Sequence, residues 1–321
     1  MREELLHESP RSRIFLVNDE QEKGMVVLKM LNNDFPEESE ITQFYNQADI
    51  LDGLSLDGVR AVLSKTRIKN KHALKMEYFD GAPFKQIIDP DNIDVAKFLS
   101  IAIEVCDVLD NIHHAGIIHR DVNPSNILIN ETDNSISFID FELSSRYVSR
   151  DYGLSVPTQL LGTIDYCSPE QTGRINRVVD QRSDLYSLGA SFYEVLAGHP
   201  PFVAKDTIEV VHAHIAQVPK LLSHINSDVP LIIAYIVAKL LEKNSEDRYQ
   251  SANGLKMDLE RCLKDYEAYG EIKPFKLAQQ DLSLEFSVAE KLYGRDVEIE
   301  EILRAFEETL AGSSQLFLVN G

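Results

Sequence analysis

The chain has 321 residues, of which 44% are hydrophobic and 8% aromatic, so it is long enough and apolar enough to form a packed core. This composition excludes a disordered protein and allows one domain and part of another. The formal net charge of −20 argues against a surface for nucleic acid or anionic membranes, because neither attracts so acidic a protein.

Cysteine usage and the apolar segments predict a cytoplasmic protein. Cys106, Cys167 and Cys262 are widely separated and lack metal-type spacing, which indicates free thiols in a reducing compartment. The N-terminus has no apolar segment typical of a signal peptide. The longest apolar run, residues 231–238, is too short to span a bilayer.

The first 80 residues are rich in predicted strands. Short apolar runs bounded by charged or glycine-containing turns predict strands at 14–17, 25–31, 59–63 and 72–78. One helix interrupts them, and it begins near Pro36, which with Glu37 and Glu38 suits a first helical turn. Its apolar face carries Ile41, Phe44, Ala48 and Leu51.

The pattern becomes helical after Gly81. Apolar residues at helical spacing predict helices at 93–114, 184–196, 208–216, 231–243 and 252–266. A small β-rich region followed by a larger helical region is an α+β arrangement.

Residues 118–129, Ile-His-Arg-Asp-Val-Asn-Pro-Ser-Asn-Ile-Leu-Ile, form the most informative stretch. They place the carboxylate of Asp121 and the carboxamide of Asn126 five positions apart in a proline-containing loop. A short predicted strand then delivers Asp140, a hard-oxygen ligand that suits Mg²⁺. Residues 162–170, Gly-Thr-Ile-Asp-Tyr-Cys-Ser-Pro-Glu, follow.

These three motifs, in this order, resemble the catalytic loop, the metal-binding Asp-Phe motif and the end of the activation segment of protein kinases, with Ser-Pro-Glu where Ala-Pro-Glu is usual. The resemblance covers roughly residues 1–268 and implies a bilobal kinase fold, with an N-lobe of about 1–80 and a C-lobe of about 81–268. It implies ATP and Mg²⁺ as cofactors. Asp121 would accept the proton of the substrate hydroxyl, and Asn126 and Asp140 would hold the metal.

The same resemblance assigns the nucleotide contacts. Lys29, on the predicted strand just ahead of the first helix, is similar to the kinase lysine that pairs with the α- and β-phosphates. Residues 76–81 resemble the hinge between the lobes, where backbone groups of Glu77 and Phe79 would bond the adenine edge and Met76 would be the gatekeeper. Ile14, Val27 and Leu128 are the expected apolar contacts of the base, although each is equally suited to an ordinary core.

Two further matches are structural. Asp184, in a segment that resembles the central buried helix, would hold the backbone of the catalytic loop, because a buried carboxylate needs such partners. Arg248 matches the arginine that pairs with the glutamate of the Pro-Glu motif, here Glu170.

The phosphate-covering loop departs from the family pattern. Aligning Ile14 with the family's valine puts His7, Ser9 and Ser12 where glycines are expected, with Pro10 between them. Glycine lets a backbone approach phosphates closely, so its loss is expected to weaken the cradle. Arg11, Arg13 and the serine hydroxyls could compensate.

The expected partner of Lys29 also departs from the family pattern. A helix glutamate is expected at the position that Gln47 occupies, and glutamine can hydrogen-bond a lysine without neutralising it. Glu40 and Asp49 are alternatives in worse register.

Two further departures from the family pattern lie in the motifs that resemble the catalytic loop and the metal-binding motif. Asn123 stands where serine/threonine kinases usually carry a catalytic lysine, and the loss of a preorganised cation costs on the order of 10²-fold in rate. Glu142 replaces the glycine after Asp140-Phe141, which leaves the metal ligand intact but restricts how the segment flips.

The segment that resembles the end of the activation segment indicates which class of substrate hydroxyl would be phosphorylated. Thr163 resembles the serine/threonine class, in which this hydroxyl can bridge toward the catalytic aspartate.

Arg120, just before Asp121, suggests control by phosphorylation, because a phosphate would pair with it. The candidate sites are Ser144, Ser145, Ser149, Ser155 and Thr158, each of which is equally suited to a plain loop.

The sequence changes character after Tyr269. Residues 269–290 lack a clear period and are interpreted as a linker. Residues 291–321 carry a Tyr-Gly-Arg opening, an amphipathic helix and a strand that ends in Gly321, which resembles the start of a signalling P-loop ATPase. The alternative is a C-terminal helix and strand that dock on the kinase.

The leading interpretation is therefore a cytoplasmic serine/threonine protein kinase of the bacterial type that precedes a signalling ATPase and sensor domains. Its partners would be ATP and a protein substrate. The alternative is a nucleotide-binding pseudokinase that regulates the adjoining ATPase, which Gln47 and Asn123 favour. A small-molecule kinase is less consistent with the Ser-Pro-Glu segment and Arg248.

Overall fold

The computed structural model describes residues 3–20, 22–146, 163–175, 177–281 and 304. The chain divides into two compact units, Met1–Leu282 and Ser283–Gly321, and every helix and strand named below lies in the first. The predicted linker is described only as far as residue 281. The predicted helix and strand of 291–321 lie outside the described residues, apart from 304.

A five-stranded antiparallel sheet forms the N-lobe. Its strands are β1 (Glu3–Glu8), β2 (Ser12–Asp19), β3 (Gly24–Leu31), β4 (Val62–Ile68) and β5 (Lys71–Glu77), in the spatial order β1-β2-β3-β5-β4. The central strands β3 and β5 pair Val27 with Met76 and Lys29 with Leu74. The register therefore puts Lys29 in the middle of the sheet.

Helix α1 (Glu38–Ile50) packs against β4 and β5. Glu38 and Glu40 occupy its first turn, where acidic side chains complement the helix dipole. Phe44 is fully buried and joins Val27 and Met76 in the core of this lobe. The burial of its apolar face, rather than any side-chain cap, accounts for the position of α1.

The larger lobe is helical. Its helices are α2 (Val95–His114), α3 (Gln181–Ala197), α4 (Thr207–Ala216), α5 (Leu231–Leu240) and α6 (Ala252–Tyr269). Nearly all of α3 is buried, and it crosses α5 where Gly189 lets the backbones approach, since a Cβ there would lie 2.6 Å from Leu240 Cβ. Helix α2 packs on α6. The described part of the chain contains no helix with both the length and the apolar character needed to cross a bilayer.

Short strands position the loops of the site. Strands β6 (Ala82–Pro83), β8 (Ile127–Ile129) and β9 (Ile136–Phe138) form one small sheet, and β7 (Ile117–Ile118) pairs with β10 (Ser145–Arg146). The loop of residues 119–126 connects β7 to β8, and Asp140 follows β9 by two residues. The small sheets therefore bring two distant chain segments to one place.

The α+β class and the order of a strand-rich N-lobe before a helical C-lobe are confirmed. The prediction of a strand at 59–63 was wrong, because the strand spans Val62–Ile68 and Val59 makes only an isolated bridge to Phe138. Strand β1 was not predicted. Both β1 and β4 are edge strands with mostly exposed side chains, so neither carries a clear apolar pattern.

The helix boundaries differ modestly from the predictions. Helix α3 begins three residues early because the side chain of Asp180 accepts the amide hydrogen of Arg182 and caps it. Helix α2 begins two residues late, after its cap Asp94. All three cysteines are free, as the sequence predicts, and all three are buried.

Candidate active site

Asp121 lies in the loop between β7 and β8, and two donors fix its carboxylate. The backbone amide of Thr163 donates to Oδ1 over 3.0 Å, and Nδ2 of Asn126 donates to Oδ2 over 2.9 Å. Asn126 Nδ2 also donates to the Asp121 carbonyl over 3.0 Å. Burial raises the pKa of Asp121, although the Thr163 amide opposes this. The carboxylate is thus held between the loop and the segment that begins at Thr163.

The buried carboxylate of Asp184 holds the loop itself. It accepts the backbone amides of His119 and Arg120, each over 2.8 Å, and Nε2 of His113 lies 2.9 Å away. Burial opposes ionisation of Asp184, but the hydrogen bond from His113 and nearby positive charge hold its pKa below its ordinary value. Arg120 has φ of 65°, a conformation that non-glycine residues adopt at a cost. Asp184 therefore secures a strained backbone just before Asp121.

Lys29 is buried between two carboxylates. Its Nζ lies 3.0 Å from Asp140 Oδ1 and 2.8 Å from Glu142 Oε1, and its side chain is 5% exposed. Burial alone would lower the pKa of Lys29, but the two negative charges hold it above its ordinary value. Burial likewise disfavours ionised Asp140, yet Lys29 holds the pKa of that carboxyl below its usual range.

The expectation that Gln47 partners Lys29 is corrected. Gln47 Nε2 donates instead to Met76 Sδ over 3.5 Å, and its buried Oε1 has no hydrogen-bond partner in the described part of the chain. The alternatives also lie elsewhere, because Glu40 accepts from Asn33 over 3.1 Å and Asp49 pairs with Lys65. The sequence singled out Glu142 only as a replacement for glycine and did not reveal its pairing with Lys29, because a loop position gives no periodicity from which side-chain direction can be read.

The turn between β1 and β2 is closed by serine rather than glycine. Ser9 Oγ accepts the amides of Ser12 over 2.9 Å and Arg11 over 3.3 Å, while Ser9 N donates to the Ser12 carbonyl over 2.9 Å. Asn32 Nδ2 adds a bond of 2.7 Å to the Ser9 carbonyl. Three backbone amides of the predicted phosphate loop, those of Ser9, Arg11 and Ser12, are therefore already bonded within the turn.

Three of the predicted base-binding residues, Ile14, Val27 and Met76, pack together in the N-lobe, whereas Leu128 lies on a strand of the small sheet. Val27 and Met76 are buried neighbours on β3 and β5, Leu128 is buried on β8, and Ile14 is half-buried on β2. The amide of Glu77 donates to the Ala61 carbonyl over 3.0 Å, and Glu77 and Phe79 lie in the segment that links the two lobes.

Asn123 is buried within the loop of residues 119–126. Its Nδ2 donates to the Asp121 carbonyl over 3.1 Å and lies 3.5 Å from Thr163 Oγ1, and its Oδ1 accepts the amide of Ser125 over 3.0 Å. These bonds order the loop, but an amide brings no positive charge to it.

The donor set suits a hard cation that also binds phosphate. Because Nδ2 of Asn126 faces Asp121, Oδ1 is the atom of this amide that a cation would take, and Asp140 adds a carboxylate. Across the described ranges, no cluster of three or more His, Cys, Asp or Glu could hold a metal alone. The residues therefore fit Mg²⁺ bound jointly with a nucleotide, since Mg²⁺ commonly uses one or two carboxylates plus phosphates.

The Ser-Pro-Glu segment is fixed by a buried ion pair. Arg248 Nη1 and Nη2 lie 2.7 and 3.0 Å from the two oxygens of Glu170, and Ser183 Oγ donates to Glu170 over 2.7 Å. Burial opposes ionised Glu170, but the charge of Arg248 holds its pKa below the ordinary value. The predicted pairing of these residues is confirmed.

The phosphorylation candidates separate by position. Ser144 is buried and donates to the His119 carbonyl over 3.0 Å, so it is not accessible for modification. Ser145 lies on β10 and is half-buried. Ser149, Ser155 and Thr158 lie outside the described residues.

Known proteins are similar to this chain over most of its length. The family described as "Protein kinase domain" matches residues 8–259. The serine/threonine-protein kinase PknB of Mycolicibacterium smegmatis is 31% identical over 264 residues, which cover 80% of this chain and 42% of that protein. PknB of Mycobacterium leprae is 36% identical over 187 residues, which cover 58% of this chain and 29% of that protein.

A third relative is a larger protein. The hybrid signal transduction histidine kinase G of Dictyostelium discoideum is 31% identical over 316 residues, which cover 72% of this chain and 9% of that protein. The chain therefore spans less than half the length of each of these relatives.

Proposed function

Because this chain belongs to the protein kinase domain family, we propose that it is an ATP-dependent serine/threonine protein kinase. In the proposed reaction, a substrate hydroxyl oxygen attacks the γ-phosphorus of ATP. The new P–O bond forms as the bond to the departing ADP breaks, and the hydroxyl proton passes to the carboxylate of Asp121. The relatives named as serine/threonine-protein kinases support transfer over nucleotide binding without transfer.

The fixed carboxylate of Asp121 is the observation that carries this proposal. Thr163 N and Asn126 Nδ2 hold its two oxygens at 3.0 and 2.9 Å, so the acceptor is oriented before any substrate binds. Such orientation lowers the barrier because the reacting groups need little further ordering. Burial raises the pKa of Asp121, which makes the carboxylate a better proton acceptor than an exposed aspartate.

Lys29, Asn126 and Asp140 would handle the charge of the nucleotide. Lys29 is buried at the centre of the N-lobe sheet and is kept protonated by the carboxylates beside it, so it can pair with phosphate. The oxygens of Asn126 and Asp140 would hold Mg²⁺, which when bound neutralises charge on the β- and γ-phosphates. Asn123 would order the loop through Asp121 and Thr163.

The adenine is proposed to lie against the apolar residues that the two lobes contribute. Ile14, Val27 and Leu128 would contact its faces, and Met76 would close the back of the cleft. Backbone groups of Glu77 and Phe79 would bond its edge. The pairing of Val27 with Met76 on β3 and β5 supports this arrangement, because it puts two apolar side chains side by side in the N-lobe sheet.

The substrate is proposed to be a protein serine or threonine in the cytoplasm. Thr163 is exposed and is tied to Asp121 through its backbone amide, as expected where a substrate hydroxyl approaches. The three buried free thiols are typical of a reducing compartment.

Phosphoamino-acid analysis tests the proposal. The purified chain is incubated with γ-labelled ATP, Mg²⁺ and a generic protein substrate, and the labelled protein is hydrolysed. Label on serine or threonine is expected, and Asp121→Asn should reduce its rate by about 10²–10⁴-fold through loss of the base. Label on tyrosine alone would contradict the substrate class.

We further propose the domain organisation that the sequence suggests: a kinase domain at 1–268, a linker at 269–290 and the start of a P-loop ATPase domain at 291–321. The Tyr-Gly-Arg opening and Gly321 support it. The gene sequence beyond the Gly321 codon tests it, because a Gly-Lys-Ser/Thr triplet within the next seven codons is expected.

A further inference from the structure

Lys29 has no carboxylate partner on helix α1, yet it is not left unpaired. Gln47, at the helix position where a glutamate is expected, bonds Met76 instead. We infer that Glu142 is the positioning residue for Lys29 and takes the role that a helix carboxylate would otherwise have. This inference rests on the proposed kinase function and identifies a further residue that serves it.

Each oxygen of Glu142 faces a different cation. Oε1 lies 2.8 Å from Lys29 Nζ, and Oε2 lies 3.5 Å from Arg11 Nη1, in the turn between β1 and β2. The Glu142 side chain is only 11% exposed, so little water screens these charges. Arg11 is held from the other side by Gln43 Oε1 at 2.9 Å. Glu142 thereby joins the turn between β1 and β2 to Lys29.

The backbone of Glu142 is anchored to helix α1. Asn46 Nδ2 lies within hydrogen-bond distance of three carbonyls, at 3.3 Å from Phe141, 3.0 Å from Glu142 and 2.8 Å from Ser144. The helix therefore still fixes the partner of Lys29, but it does so through the amide of Asn46 and the loop that Asn46 holds. A carboxylate on the helix would instead have contacted Lys29 directly.

The charge balance explains why the second carboxylate matters. Two cations, Lys29 and Arg11, face two carboxylates, Asp140 and Glu142. Without Glu142, Asp140 would be the only carboxylate paired with Lys29 in the described part of the chain, and it would have to serve both the lysine and the metal. Glu142 thus shares the pairing of Lys29 with Asp140, so that Asp140 need not neutralise the lysine alone when it also holds the cation that accompanies ATP.

Glu142→Gln tests this inference, because it keeps the shape and removes the charge. We expect kcat to fall by about 10–100-fold, because Lys29 and Asp140 lose the charged partner that orients them. ATP binding alone should be as tight as in the wild type or tighter, whereas the gain in ATP affinity on adding Mg²⁺ should shrink by about tenfold. Glu38→Gln, an exposed change on α1, is the matched control.

A double variant that moves the carboxylate from the loop to helix α1 distinguishes a positioning role of Glu142 from a merely structural ion pair. Glu142→Gly should lose activity as Glu142→Gln does, and adding Gln47→Glu should restore at least about tenfold of it, since the carboxylate returns from the helix. No recovery would overturn the equivalence of the two positions. Wild-type kcat in Glu142→Gln, or higher, would overturn the inference itself.

The binding measurement keeps the two proposals distinguishable. If the wild-type chain transferred no phosphate, the proposed function would fail, but the Mg²⁺ dependence of ATP binding would still decide the role of Glu142. A shift in Glu142→Gln no larger than that in Glu38→Gln would refute it.

Discussion

Arg248 and Glu170 lie 78 positions apart in the chain and form a two-bond ion pair with almost no exposed surface. The guanidinium also donates to the carbonyls of Arg182, Glu242 and Lys243, at 3.1, 2.7 and 3.1 Å. The pair therefore ties the Ser-Pro-Glu segment to α3 and to the end of α5. Because both charges are buried away from water, the removal of either partner would strongly lower the free energy of unfolding.

Glu170→Gln should destabilise the fold strongly. It leaves the Arg248 guanidinium buried without a counter-charge, and we expect the free energy of unfolding to fall by about 3–5 kcal/mol. Denaturant unfolding followed by circular dichroism measures this. Asp107→Asn removes a carboxylate from the partly exposed pair with Lys256 and should cost less than about 1 kcal/mol. Equal losses in the two variants would contradict the account.

Asp184→Asn should impair the catalytic loop more than the fold. An amide offers one acceptor oxygen in place of two, so one of the amides of His119 and Arg120 would lose its partner. Misplacement of Asp121 by about 1 Å is expected to reduce kcat by about 10²-fold. Asp206→Asn is the control, because Asn caps a helix as well as Asp does and α4 should be unaffected. Wild-type kcat in Asp184→Asn would refute this.

Asn123→Lys should raise kcat. It returns a cation next to Asp121, where Asn123 now provides only hydrogen bonds. A preorganised charge at a transferring group is worth on the order of 10²-fold, and a gain of at least about tenfold is expected. Asn123→Met, similar in length but uncharged, should give no gain. A gain in both variants would attribute the effect to packing rather than charge.

His214 should make stability depend on pH. Burial, followed by the charge of Lys243, lowers its pKa from 6.5 to about 4. The unfolded chain therefore binds the proton at higher pH, so the free energy of unfolding should fall as pH drops from 6.5 to 4, by about 3 kcal/mol from this group. His214→Gln should remove that part of the slope, and His212→Gln, exposed on the same helix, should retain it. An unchanged slope in His214→Gln would contradict the assignment.

The sequence predicted the elements that follow from local apolar patterns and the contacts that follow from motif spacing. Helix α1 followed from Phe44 and its apolar neighbours, and the pairing of Arg248 with Glu170 followed from the kinase resemblance. Edge strands β1 and β4 were missed or misplaced, because their exposed faces lack the alternation that marks a half-buried strand.

The partner of Lys29 could not be read from the sequence. Gln47 sits in the expected helical register, but its side chain turns to Met76, and the neighbouring Asn46 carries the contact to the loop. The choice between these directions depends on packing between segments about 95 residues apart, which no local pattern records.

The most direct test of the kinase proposal is phosphate transfer from γ-labelled ATP with Mg²⁺ by the wild type and by Asp121→Ala. We predict label in the wild type and a loss of at least about 10²-fold in the variant, with ATP binding retained in both. Equal label in the two proteins, or none in a wild type that binds Mg·ATP, would contradict the proposal.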